Sequence, residues 1–103
     1  MRQSREIRFS RDHPTAAGHF PGNPVIPGAV LLDEVLRAIA STEAQLRPTA
    51  IRSAKFLHVV RPGDALLISW GAGHRGEIKF EGRLLDQQRL ALTGTIELGA
   101  APR

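Results

Sequence analysis

Three kinds of group in this sequence suit proton transfer beside a carbonyl. His19 opens the stretch His19-Phe20-Pro21-Gly22-Asn23-Pro24-Val25-Ile26-Pro27-Gly28, and Asp33 follows where the text turns helical. Histidine takes or gives a proton near neutrality. A carboxylate held against apolar side chains is pushed toward its protonated form and can donate. Pro27-Gly28 stands just ahead of the helix, where free backbone N–H groups could hold a carbonyl oxygen as it becomes anionic. Base, acid and oxyanion donors together suit abstraction of a proton next to a carbonyl. The same residues also suit a purely structural role, with His19 packed in a rigid loop and Asp33 capping or ion-pairing the first helical turn.

No other chemistry stands out. His13, His19, His58 and His74 are far apart and show no metal-ligand spacing, so no metal is expected. There is no phosphate-binding loop, no dinucleotide fingerprint and no serine elbow. Gly71, Gly73 and Gly76 fall in a hairpin, where turn geometry accounts for them.

The elements that must position these groups can be read from periodicity. Three prolines and two glycines in the ten residues 19–28 make a rigid, sharply turned loop. Residues 29–46 read as the one long helix, with Leu32, Val35, Leu36, Ile39 and Leu46 on one face and Arg47-Pro48 as its stop. That face puts Asp33 at its edge and Glu34 almost opposite, so Asp33 is expected to be held against protein and Glu34 solvated. Arg37, four residues on, can pair with Asp33. Before the loop, residues 5–10 alternate as a half-buried strand. After the helix come strands over 50–60, 65–72, 77–84 and 89–98, then a tail. The mixed parity of 50–60 suggests a strand covered on both faces. Short turns imply that these four strands are antiparallel neighbours in a meander. The fold class is α+β: one curved antiparallel sheet packed on one helix, a single domain over residues 1–103.

Size and composition narrow the rest. The chain has 103 residues, 42% of them hydrophobic, which argues against disorder. It has no cysteine, hence neither disulfides nor thiolate chemistry, as fits a reducing, cytoplasmic setting. No signal peptide and no membrane-length apolar run is visible, and no membrane partner is expected. The formal net charge of +4 suits an acidic partner. Nucleic acid is not expected, because the basic residues are scattered and only five side chains are Phe, Tyr or Trp.

The string from His19 to Gly28, with Asp33 downstream, closely resembles the active-site signature of bacterial 3-hydroxyacyl-[acyl-carrier-protein] dehydratases of the hot-dog fold. The likeness continues at Lys55-Phe56 and Val60-Arg61-Pro62-Gly63-Asp64 and covers most of residues 5–98. The resemblance implies a long helix wrapped by a curved antiparallel sheet, in a homodimer or a higher oligomer. By the same resemblance His19 is the catalytic base and Asp33 the catalytic carboxylate, meeting across the dimer interface. Gly28 offers the N–H that holds the thioester carbonyl. Phe20, Pro27, Phe56 and Trp70 stand along the loop or the acyl tunnel, although Phe56 and Trp70 suit plain core as well. The implied substrate rides on the phosphopantetheine of an acidic acyl carrier protein, with no further cofactor.

Three departures qualify the likeness. The chain is shorter than typical fatty-acid-synthesis members. It carries Arg37 where those members usually carry glutamine, beside the implied catalytic carboxylate. The residues around Asn23 and Leu32-Asp33-Glu34-Val35 resemble compact dehydratase-like proteins of aryl-polyene or related pigment clusters. A hot-dog thioesterase and a non-catalytic subunit that binds acyl carrier protein are the alternatives.

Overall fold

The computed structural model describes residues 2–11, 25–42, 46–73 and 76–100. Strand β1 (Gln3–Arg8) precedes helix α1 (Gly28–Thr42), and strands β2 (Leu46–Phe56), β3 (Ala65–Ala72), β4 (Glu77–Leu84) and β5 (Arg89–Ala100) follow. All pairings are antiparallel, in the order β1-β3-β4-β5-β2. Among the described residues, no helix is long and apolar enough to cross a membrane.

Alternation in β3 to β5 sets the inner face of the sheet. Leu66, Ile68 and Trp70 on β3, Phe80 and Leu84 on β4, and Leu92 and Ile96 on β5 are all buried. They meet Leu31, Val35, Ala38 and Ile39 of α1, spaced as one helical stripe. Gly94 faces Phe80 across the β4–β5 ladder, and the Phe80 ring occupies the space a Gly94 side chain would need. Trp70 lies within this core, 2% exposed.

Three expectations need correction. The helix ends at Thr42, not near Leu46, and residues 46–48 already belong to β2. The hydroxyls of Ser41 and Thr42 donate to the carbonyls of Ala38 and Ile39, which competes with continuation of the helix. Pro48 is tolerated because β2 is an edge strand with a register shift between Pro48 and Ala50.

The second correction concerns the meander, which holds for β3-β4-β5 only. β2 pairs with β5 at the far edge, so residues 57–64 cross the end of the sheet. Eight extended residues reach about 26 Å, ample for three strand spacings of about 4.8 Å. The third is that β2 is not covered on both faces. Ile51, Arg52, Ser53, Lys55 and Phe56 are all exposed. On the outer face of the sheet, Arg52 hydrogen-bonds Glu97 and lies near Glu77, and these contacts hold its guanidinium still more firmly protonated.

Candidate functional site

The crossing segment makes the site. Leu57 and His58 donate their backbone N–H groups to the Ala91 carbonyl, at 2.7 and 3.3 Å. Two residues on, the Val60 carbonyl accepts the Ile26 N–H at 2.7 Å, which straps the residues ahead of α1 to the crossing. Val25, Ile26, Gly28 and Leu31 on one side and residues 56–60 on the other enclose an open cleft of about 550 Å³. Its size and apolar lining suit a small-molecule or acyl ligand.

Pro27 caps the helix: its carbonyl accepts from the Val30 and Leu31 N–H groups at 3.0 and 3.2 Å. Gly28 is the first helical residue, so its N–H belongs to the orphan donors at the positive helix end. A side chain there would meet the Phe56 ring, with a Cβ only 2.9 Å from Cζ. Glycine at 28 thus lets the ring lie directly over the helix start. Of the residues the sequence singled out, Gly28 and Phe56 come together in the cleft, beside Pro27.

His19 and Phe20 lie outside the described residues. Asp33 is off the cleft and 55% exposed, and Arg37 Nε pairs with its Oδ2 at 3.0 Å. The expectation that Asp33 is held against protein fails for the single chain. The buried stripe centres on Leu31, Val35 and Ala38, which turns Asp33 away from the sheet and leaves Glu34 half-buried at the edge. Among the described residues, no group of three or more His, Cys, Asp or Glu side chains could hold a metal ion.

Sequence reasoning missed His58, Leu57 and Val59. His58 is half-buried in the cleft wall, with Nδ1 2.9 Å from the Val59 carbonyl oxygen. Its place two residues after Phe56, ahead of the Arg61-Pro62-Gly63-Asp64 turn, was the available signal. That turn carries a basic corner. Arg8 Nη1 donates to the Gly63 carbonyl at 2.8 Å, the Arg11 side chain packs on Gly63, and Arg61 begins the turn.

A family model described as ApeI-like, ApeI dehydratase, matches residues 2–95. The chain belongs to the ApeI-like dehydratase family. The 3-hydroxyacyl-[acyl-carrier-protein] dehydratase FabZ of Lactobacillus helveticus is 39% identical to this ApeI-like chain over 82 residues, 68% of the chain and 55% of the relative. The chain spans 38 to 55% of the length of the curated relatives it matches. Among solved structures, an uncharacterized protein from Erwinia carotovora subsp. atroseptica superposes with a TM-score of 0.84 at 24% identity, covering 96% of this chain and 83% of that one. The dehydratase heterocomplex ApeI:P from Xenorhabdus doucetiae gives 0.81 at 24% identity, covering 94% and 86%. The ApeI-like chain has the hot-dog fold these neighbours share: α1 packed on a five-stranded antiparallel sheet.

Proposed function

We propose that this chain dehydrates 3-hydroxyacyl thioesters carried on acyl carrier protein to 2-enoyl thioesters, in a fatty-acid-like or polyene-forming pathway. The observation that carries the reading is Gly28. A helix N-terminus with no side chain at its first residue lies under the Phe56 ring beside an apolar cleft, in a chain whose family is named for dehydratases. The thioester carbonyl docks at the Gly28 N–H, after the Phe56 ring gives way. His19 takes the α-proton while the helix end stabilises the enolate oxygen. Asp33 of the partner subunit, directly or through a water, protonates the departing β-hydroxyl. The hydroxyl leaves as water and the Cα–Cβ bond becomes double.

A homodimer is part of this proposal. Support comes from what a single chain leaves uncovered: the β2 edge, exposed Ile51, Phe56, Leu57 and Val59, and Asp33 on the outer side of α1. Leu32 and Leu36, flanking Asp33, are only partly buried. The turn that follows the cleft wall in sequence gathers Arg8, Arg11 and Arg61 around the Asp64 carboxylate, an excess of basic groups that supports an acidic carrier. A second reading, in which a different subunit covers β2, is favoured by the strand's own charge. Its sequence holds Arg47, Arg52 and Lys55 and no acid, so two copies side by side would oppose like charges.

The test is mass spectrometry of a 3-hydroxyacyl-[acyl-carrier-protein] incubated with the purified protein, beside His19→Ala. Loss of one water with the wild type alone is the expected result. No loss across several chain lengths, with carrier binding retained, would establish the non-catalytic subunit. Release of free acid would establish a thioesterase.

A further inference from the structure

The cleft wall holds an imidazole, His58, that the elimination chemistry does not use. His58 lines the same cleft as Gly28, and the side chains lining it beside His58, among them Val25, Ile26, Leu31 and Phe56, are apolar. A carbonyl oxygen only accepts, so the 2.9 Å contact to Val59 places the hydrogen on Nδ1. In the neutral ring Nε2 is then an acceptor with its lone pair available. Two backbone carbonyls beside the ring already accept hydrogen bonds. The Val59 carbonyl is taken by His58 itself, and the Val60 carbonyl by Ile26.

A ligand that fits such a wall is a mostly apolar chain carrying isolated N–H donors. The pantetheine arm of an acyl carrier is that chemistry, with methylene and dimethyl stretches separated by secondary amides. An amide N–H drawn out of water into an apolar cleft without an acceptor is penalised. We propose that His58 Nε2 accepts a hydrogen bond from an amide N–H of the pantetheine arm and so sets how deeply the thioester reaches toward Gly28. His58 is in this sense a positioning residue. The assignment rests on the thioester reading above.

Two thioesters of the same 3-hydroxyacyl group separate this role from packing: one on pantetheine, one on ethanethiol, which has no amide. His58→Phe keeps the apolar wall and raises KM for the pantetheine thioester about tenfold relative to the ethyl thioester, the order expected for one lost hydrogen bond. The effect falls on KM and not on kcat, and His58→Gln, which restores an acceptor, recovers most of it. Pantetheine alone, titrated into wild-type protein with ring-¹⁵N histidine, shifts the His58 Nε2 resonance. If that resonance shifts while no 3-hydroxyacyl thioester loses water, the dehydratase reading falls and the role of His58 stands. If it stays unmoved at millimolar pantetheine, or His58→Phe weakens both thioesters alike, the role of His58 is overturned.

Discussion

Two regions of this chain treat apolar side chains in opposite ways. Between α1 and β3–β5, Leu31, Val35, Ile39, Leu66, Ile68 and Trp70 are each 3% exposed or less. On β2 and the crossing after it, Ile51, Phe56, Leu57 and Val59 are 45, 49, 54 and 44% exposed. The first region closes on itself, helix stripe against sheet face in one buried cluster. The second presents an unpaired strand edge and large side chains that gain by meeting another surface. Gly28 and Asp33, two of the groups suited to chemistry, lie outside the closed core. Phe56 covers Gly28, and Asp33 sits on the helix side that the sheet leaves open.

The contrast can be broken or sharpened by substitution. The largest expected effect is on turnover. His19→Ala lowers dehydration by about 10²- to 10⁴-fold, the usual worth of a positioned proton carrier, with an unchanged circular dichroism spectrum. Asp33→Asn, on the exposed side of the helix, is severely impaired in the same enoyl-formation assay. Full turnover by Asp33→Asn would detach the open side of the helix from the chemistry.

Next come the two apolar regions themselves. Ile39→Ala in the closed core costs about 2–5 kcal/mol in urea unfolding. Leu57→Asp on the open side leaves the unfolding of the isolated chain nearly as before but shifts sedimentation to the smallest species. Equal losses of chain stability from both would erase the distinction. Gly28→Ala pushes the Phe56 ring aside, at a cost of about 1–3 kcal/mol typical of overpacking, and Phe56→Ala in the same chain relieves it. The smallest change is Arg52→Gln on the outer sheet face, a slight, salt-sensitive lowering of the melting temperature, because its ion pairs with Glu97 and Glu77 are exposed.

How far these regions were legible in the sequence follows the same division. The alternation of Leu66, Ile68 and Trp70, and of Phe80 and Leu84, specified strands and their buried face, because a one-residue slip would expose the whole set. The helix was harder. Leu31, Val35, Ala38 and Ile39 form one stripe, and Leu32 with Leu36 widens it on one flank. Periodicity shows the broad stripe but not which flank the chain's own sheet covers. That choice decided whether Asp33 faced inward, and tertiary packing made it. Pro48 read as a helix stop because proline ends helices locally, and its tolerance at a bulged edge depends on a neighbour fifty residues away. His58 looked isolated among four scattered histidines until the crossing segment set it beside the helix start. Gly28 and Phe56 were legible through their resemblance to a known signature, whereas their contact is a matter of chain crossing.

The crossing also fixes an order of events in synthesis. β1 takes its hydrogen bonds from β3, and β2 takes its from β5. Among the described residues up to Phe56, the two strands β1 and β2 have no sheet partner. As a ribosome releases the chain, the hydrophobic helix and the β2 edge emerge and wait for β5. The β3-β4-β5 meander, built from local hairpins, is the template on which both earlier strands dock. A nascent chain arrested before Arg89 would leave β2 unpaired and the helix stripe without Leu92 and Ile96, an aggregation hazard that vanishes once β5 is in place.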